Sequence, residues 1–522
     1  MADVGFWKLA EADPDRLAVV DPDGTEHTAG EVLARANRLV HGLRSLGLEH
    51  GDTVSTMLPN GASALEVYLA ALQAGWYLTP INYHLSGPEI AYIVNDAGAR
   101  AFITSPRYAE QATSALGEME LPDGSRFTVP DRPDGGTVDG YRPVAELVDG
   151  QPDSAPDKRI AGLTMHYTSG TTGRPKGVKR TLPDLDPNTN VELFSMILSL
   201  FGIQPGDGNV HLVTSPNYHT AVTMFGGSSL HYGHPLVMMD KWTPEGTLER
   251  IERYGVTTTH MVPTQFHRML ALPDEVRESY DVSSMRYAVH AAAPCPVDTK
   301  RKMLDWWGPV IYEYYGATEG GGTLATPEEW IEHPGTVGKP WPISEVVVLD
   351  DDGRELPRGD IGTVYMKTMG ADFEYKGDRE KTDENRFDDF FTVGDVGYMT
   401  DDDFLFLCDR KSDMIISGGV NIYPAEIEAE IHSHPGVGDV AVFGIPDADW
   451  GEQIKAVVEA AEGVEAGDEL AASILEHVQG RLGKFKWPKS IDFIETMPRD
   501  PSGKLYKRKL RDPYWEGHEA KI

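Results

Sequence analysis

Tyr167-Thr168-Ser169-Gly170-Thr171-Thr172-Gly173-Arg174-Pro175-Lys176-Gly177 concentrates three glycines, four Ser and Thr hydroxyls and two cations in eleven residues. Glycine lets a backbone turn tightly and approach a ligand closely. Successive free N–H groups form a concavity that holds anions. Thr168, Ser169, Thr171 and Thr172 add neutral donors, while Arg174 and Lys176 add positive charge. Together these features read as a loop that grips a polyphosphate. The Walker pattern G-x-x-x-x-G-K-[ST] is absent, because neither Gly173 nor Gly177 is followed by Lys and a hydroxyl residue. Taken alone, the stretch also fits an ordinary flexible surface loop.

Around this loop, strand and helix signals alternate. Leu17-Ala18-Val19-Val20 reads as a short strand stopped by Asp21-Pro22-Asp23-Gly24. Thr28 is placed to cap a helix bearing Leu33, Ala36, Leu39, Val40 and Leu43 at helical spacing. A strand from Gly51, a helix over 62–75, and strands over 210–213 and 257–263 follow. Such alternation predicts an α/β fold with a parallel, doubly wound sheet. Residues 120–160 are rich in Pro, Asp and Gly and read as loop, and the polar stretch 181–190 reads as a surface excursion. Residues 345–408 read as β structure. After Asp409-Arg410-Lys411-Ser412-Asp413 come short strands and helices over Pro424–His432 and 470–482, an α+β pattern in which Pro424 suits a first helical turn. The expected division is an N-terminal domain over 1–409, a hinge at 410–413 and a C-terminal domain over 414–522.

Composition narrows the function. A chain of 522 residues exceeds one ordinary core and divides into domains. Its 47 Lys and Arg against 82 Asp and Glu give a formal charge of −35. That charge argues against nucleic acid, which is bound through cations, and against an anionic membrane surface. The acidity reads as a solubility feature. Cys295 and Cys408, the two cysteines, support neither a disulfide framework nor a zinc cluster. A reducing cytoplasm is the expected setting. Met1-Ala2-Asp3-Val4-Gly5-Phe6-Trp7 has no basic start or apolar core of a signal peptide. No apolar run approaches the roughly 18 residues of a spanning helix.

The glycine-rich stretch, ending in Pro175-Lys176-Gly177, resembles the phosphate loop of the adenylate-forming superfamily: acyl-CoA synthetases, peptide-synthetase adenylation domains and beetle luciferases. Four further stretches resemble the same superfamily in family order, so the resemblance covers nearly the whole chain. It implies a large N-terminal domain of doubly wound sheets with a β-barrel-like subdomain, then a small mobile α+β domain. Thr168, Ser169, Gly170, Thr171, Thr172, Gly173 and Lys176 would bind the nucleotide phosphates.

In Tyr312-Glu313-Tyr314-Tyr315-Gly316-Ala317-Thr318-Glu319-Gly320, read alone as a strand entering a glycine turn, the resemblance places Tyr315 and Gly316 at the adenine. It gives Thr318 a phosphate contact and makes Glu319 the Mg²⁺ ligand, which suits a hard cation shared between carboxylate and phosphate oxygens. Ala292, Ala293 and Pro294 follow His290 where most relatives carry a Gly-containing adenine loop. Asp395, in Thr392-Val393-Gly394-Asp395, would accept both ribose hydroxyls in charge-assisted bonds of roughly 1.5–3 kcal/mol each, with Arg410 beside it. As a bare sequence this stretch also reads as a hairpin turn.

Ser412 stands at the family's hinge position, where Asp or Lys is usual. Ser417-Gly418-Gly419 would line the CoA or acceptor tunnel. Lys504, in Pro501-Ser502-Gly503-Lys504, would be the catalytic lysine, its ammonium bridging carboxylate and α-phosphate; alone, this region reads as an exposed basic tail. His219, Thr220, Met224 and Phe225 would border the acyl pocket, with Gly226, Gly227, Ser228 and Ser229 leaving room for a bulky acid.

The resemblance implies an AMP-forming acyl-CoA ligase using ATP, Mg²⁺ and CoA on a small carboxylic acid. The same motifs suit a coronafacic acid ligase-like amide synthetase, in which an amino acid amine takes the acyl group. A luciferase-like oxygenase and a silent nucleotide sensor are further readings, and a carrier protein is another acceptor, although no Asp-Ser-Leu carrier segment is fused. Homodimers are common among such enzymes.

Overall fold

The first long helix begins where its cap dictates. Thr28 Oγ1 accepts a hydrogen bond from the Glu31 amide at 3.3 Å, and the Glu31 carboxylate accepts from the Thr28 amide at 3.0 Å. This reciprocal pairing satisfies two helix N–H groups and starts Ala29–Ser45, whose Val32, Ala36, Leu39, Val40 and Leu43 are buried. The structure, a computed structural model, describes residues 3–130, 135–168, 175–368, 373–447, 449–499 and 505–516. It divides into two compact units: Met1–Met261 with Leu272–Val289 and Gly370–Glu384, and Val262–Ala271 with His290–Met369 and Asn385–Ile522.

The first unit is built on parallel sheets. One runs Arg142–Pro143, Arg126–Thr128, Ala99–Thr104, Thr53–Met57, Tyr77–Pro80, Leu163–Thr164, with every neighbouring pair parallel. In another, Thr258–Met261, His211–Val213, Leu236–Met238 and Leu17–Val20 are parallel neighbours, edged by antiparallel Glu26–Thr28. Helix Ala62–Ala74 is buried along most of its length, as an element covered on several sides must be. Phe6, Trp7, Val40, Leu69 and Trp76 share its core. The phosphate-loop strands form a small antiparallel sheet, Glu374–Tyr375, Lys176–Lys179, Tyr167–Thr168.

The second unit is mostly antiparallel. Ile311–Ala317 pairs with Gly320–Ala325. A six-stranded sheet joins Arg386–Phe387, Phe390–Phe391, Gly362–Thr368, Asp395–Met399 and Leu405–Arg410, with Ser344–Leu349 on Gly362–Thr368. This is the region expected to be barrel-like; among the described residues its strands form a six-stranded antiparallel sheet. The C-terminal part has a five-stranded sheet around Gly451–Ala460, covered by Pro424–His432 and Asp468–Gln479 through Ile427, Ile431, Ile474 and Val478.

The stretch 181–190 is not wholly an excursion. Asp186 caps a helix over Pro187–Ser195, its Oδ1 accepting the Asn188 amide at 2.9 Å, and Asn188 is buried. Asp followed by Pro is a helix start as readily as a turn, and the apolar residues that reveal the helix lie beyond the polar stretch.

Candidate active site

On the first unit, Lys176 begins a strand whose first two residues pair with Thr168 and Tyr167. Gly177 is required there: a Cβ at this position would lie 2.9 Å from the Tyr167 ring. Tyr167 donates its hydroxyl to Asp96 Oδ2 at 2.5 Å. Burial and that carboxylate push the phenol well above its ordinary range. The Lys176 ammonium is bonded to Asp378 and lies 5.9 Å from the centre of the Tyr375 ring. Neither Asp96 nor Asp378 was legible as part of the loop, since only the folded backbone brings them to it. Ser169, Gly170, Thr171, Thr172 and Gly173 lie outside the described residues.

The expected acyl-pocket residues are together on the same unit. His219 immediately precedes helix Thr220–His231, so Thr220 and Met224, one turn apart, share a half-buried face. Phe225 is buried, its ring 5.4 Å from Phe201 and 5.0 Å from His260. The His219 ring lies 4.4 Å from Tyr218. Burial pushes His260 down to about 3, which keeps the imidazole neutral. The small residues do not leave the expected room. A Cβ on Gly227 would meet the Tyr68 hydroxyl at 2.5 Å, and Ser228 and Ser229 are buried, so that side of the helix is filled by packing.

On the second unit, three residues from distant parts of the sequence converge. Tyr315 donates its hydroxyl to Asp395 Oδ2 at 2.7 Å, and Arg410 Nε stands 3.3 Å from Asp395 Oδ1. Asp395 opens the strand Asp395–Met399 and Arg410 closes Leu405–Arg410; the register sets the two opposite each other. Burial raises the Asp395 carboxyl, opposed by the Arg410 charge and then by the Tyr315 bond. Burial, reinforced by Asp395, holds the Tyr315 phenol well above its ordinary range. A carboxylate has about four acceptor directions, so two donors leave capacity for two hydroxyls.

Glu319 is buried at the end of the Tyr315 strand, with half-buried Thr318 before it. The turn that follows needs Gly321 at φ 72°, and a Cβ on Gly322 would lie 2.4 Å from the Tyr315 carbonyl. Gly316 sits under Trp341, whose ring would lie 3.5 Å from a Cβ at that position. Ala292, which shares the expected adenine loop with Ala293 and Pro294, adopts φ 73°. An L-residue pays roughly 1–2 kcal/mol in that left-handed region, which glycine adopts without that cost. Among the described residues no group of three or more His, Cys, Asp or Glu could hold a metal unaided. Glu319 fits an ion such as Mg²⁺ that takes one or two carboxylates and completes its shell with phosphate oxygens and water.

Ser412 bonds weakly to Asp413, 3.4 Å away, and its carbonyl accepts from Arg511 at 3.4 Å. Gly418 and Gly419, at φ 58° and 80°, form the two-residue turn between Ile415–Ser417 and Val420–Ile422. A Cβ on Gly418 would lie 2.4 Å from the Trp450 ring, which covers the turn and is itself 61% exposed. Lys504 lies outside the described residues. Its surroundings are not simply an exposed basic tail: Arg499 Nη2 pairs with Asp439 Oδ1 at 2.8 Å and Lys507 with Glu428 at 2.8 Å. Both cysteines are free, and burial pushes the Cys408 thiol up to about 11.

Residues 6–371 match the family described as AMP-binding enzyme, and residues 426–504 match the AMP-binding enzyme C-terminal domain. The chain belongs to the AMP-binding enzyme family. It is thereby an adenylate-forming enzyme. It is 34% identical to a feruloyl-CoA synthase of an Amycolatopsis species, over 97% of this chain and 98% of that one. It is 30% identical to the fatty acid–[acyl-carrier-protein] ligase ScoC of Streptomyces coeruleorubidus, over 98% of this chain and 96% of that one. ATP-bound MatB from Rhodopseudomonas palustris has a similar structure, with TM-score 0.82 and 30% identity across 98% of this chain and 99% of that one. Among the described residues no helix of this AMP-binding enzyme is long and apolar enough to cross a membrane.

Proposed function

We propose that this protein is an AMP-forming acyl-CoA ligase. The carrying observation is the Tyr315–Asp395–Arg410 cluster: a buried carboxylate, already oriented by two donors and able to accept two more, in a chain of the AMP-binding family. Asp395 takes the ribose hydroxyls. Tyr315 holds that carboxylate and presents its ring to the adenine, bordered by Ala292, Ala293, Pro294 and Gly316. Lys176, Thr168 and the loop Ser169–Gly173 take the phosphates, with Thr318.

In the first half-reaction a substrate carboxylate oxygen attacks the α-phosphorus of ATP and pyrophosphate leaves. Lys504 neutralises charge at the carboxylate and α-phosphate, where stabilisation acts on the transition state. Mg²⁺ held by Glu319 would lower the charge of the phosphates. In the second half-reaction a thiolate attacks the acyl carbonyl, AMP leaves and a thioester forms. Dividing acylation in two through an activated intermediate lowers each barrier. The segment 410–413 divides domains 1–409 and 414–522, and rotation at Ser412 removes Lys504 and brings Ser417, Gly418 and Gly419 to the acyl-adenylate. His219, Thr220, Met224 and Phe225 border the acid. The feruloyl-CoA synthase likeness favours an aryl-bearing acid.

The test supplies ATP, Mg²⁺ and a panel of aliphatic and aryl acids. Parallel reactions contain CoA, amino acids or a phosphopantetheinylated carrier protein, and products are identified by mass spectrometry. Acyl-CoA formation supports the proposal. Amides that form without CoA would replace it with the amide-ligase reading, and transfer only to the carrier would make the thiol of a protein the acceptor. A homodimer in the cytoplasm is the proposed setting.

A further inference from the structure

The phosphate-loop strand carries an acidic neighbour from far along the chain. Glu374–Tyr375 pairs antiparallel with Lys176–Lys179, Val178 opposite Tyr375 and Lys179 opposite Glu374. The Lys376 amide donates to the Gly177 carbonyl at 2.9 Å, and the Lys376 ammonium donates to the Asp96 carbonyl. Among the described residues two ion pairs cross this junction: Lys179 with Glu374 at 3.7 Å, and Lys176 with Asp378 in direct contact. They differ in kind. The Lys176 side chain is 14% exposed and Asp378 36%, whereas Lys179 and Glu374 are 35% and 64% exposed. The backbone pairing therefore delivers one carboxylate to the more enclosed of the two cations.

We propose that Asp378 is the resting counter-ion of Lys176, a positioning residue that the nucleotide phosphates displace. The inference rests on the reading of Lys176 as a phosphate ligand. A half-buried ammonium without an anion would be costly to desolvate, so in the nucleotide-free protein Asp378 neutralises it and fixes its direction. The same carboxylate competes with an incoming polyphosphate for that ammonium. When ATP binds, the Lys176 ammonium exchanges a carboxylate for phosphate oxygens. Asp378 then turns to solvent, which its exposure permits. No covalent bond changes. The consequence is a weakened affinity for free ATP and for pyrophosphate, set by one side chain and independent of the acid pocket.

The test is a double-mutant cycle on the full-length protein, with ATP affinity measured by calorimetry in the absence of acid. D378N should tighten ATP about fivefold, the size expected for no longer having to break one partly exposed ion pair of up to about 1 kcal/mol. E374Q, the exposed pair on the same strand, should leave affinity within about twofold. In a K176M background D378N should give no gain, because the competition runs through Lys176. Should D378N not fold, D378S removes the same charge and is read in its place. Weaker or unchanged binding by the neutral variant, or a gain that persists without Lys176, overturns the proposal while ATP binding by the unaltered protein stands. Failure of the unaltered protein to bind ATP would instead overturn the functional reading beneath it.

Discussion

At the scale of single residues, the proposed nucleotide site turns on how many donors Asp395 holds. It lies 2.7 Å from the Tyr315 hydroxyl and 3.3 Å from Arg410. On the proposed reading, Asp395→Ala removes two bonds of roughly 1.5–3 kcal/mol to the ribose. ATP affinity should fall by more than tenfold, while the KM for the carboxylic acid changes little. Equal losses on both substrates, measured by ATP–pyrophosphate exchange, would take Asp395 out of the nucleotide site. The types of residue at this site were readable: Tyr315, Asp395 and Arg410 each stand in a recognisable stretch. Their contact was not, because 80 residues separate Tyr315 from Asp395 and only strand register closes the distance. Asp378 was hidden more completely. It lies 202 residues from Lys176, in a polar segment of mixed charge whose sequence gives no sign of the contact.

At the scale of elements, local rules worked where the chain satisfies itself locally. Thr28 caps its helix through Glu31, and Pro424 opens Pro424–His432 as its fixed φ favours. They failed where packing chose between equal options, as with Asp186-Pro187 and with Gly227 under Tyr68. A third case joins helix Val297–Trp307 to the strand that carries Tyr315. Fully buried Lys300 meets Glu313 at 2.7 Å and lies 4.7 Å from the Trp330 ring centre. His290, which begins the Ala292 loop, stands 3.4 Å from the same carboxylate. Burial lowers the Lys300 ammonium and raises the Glu313 carboxyl, each opposed by the other. Removing one partner strands the other in the interior. K300M should therefore destabilise the protein by about 3–5 kcal/mol, while K300M/E313L should recover most of that loss. Denaturant midpoints decide it: additive losses in the double variant would show that the pair is not coupled.

At the scale of the whole molecule, two electrostatic facts pull in opposite directions as pH falls. A formal charge of −35 repels itself, and protonation relieves it. Buried acids such as Glu66 and Glu428, whose carboxyls burial raises, act in the same sense. Against them stand buried histidines of the first unit, among them His166, pushed down to about 4, and His211, His231 and His260, pushed down to about 3, in each case by burial first. Their neutral forms are built into the fold. His231 Nδ1 accepts from the Phe6 amide at 3.1 Å, which a protonated ring cannot do, and His211 shares a 2.9 Å bond with Thr258. In the unfolded chain these rings bind protons near pH 6.5. Below that value the unfolded state holds more protons than the folded state, so the stabilisation present above pH 6.5 is progressively lost. Each ring contributes about 1.4 kcal/mol per pH unit once its unfolded form is protonated. Among the described acids of the first unit Glu66 is the one whose carboxyl is raised and offsets part of this loss, so the more numerous imidazoles dominate in that unit between pH 6.5 and 5. The urea midpoint should fall steeply over that interval, with loss of the first unit's parallel sheets. A midpoint that stays level or rises there would mean that charge relief outweighs the buried imidazoles, and that the acidity of the chain, not its interior, governs its tolerance of acid.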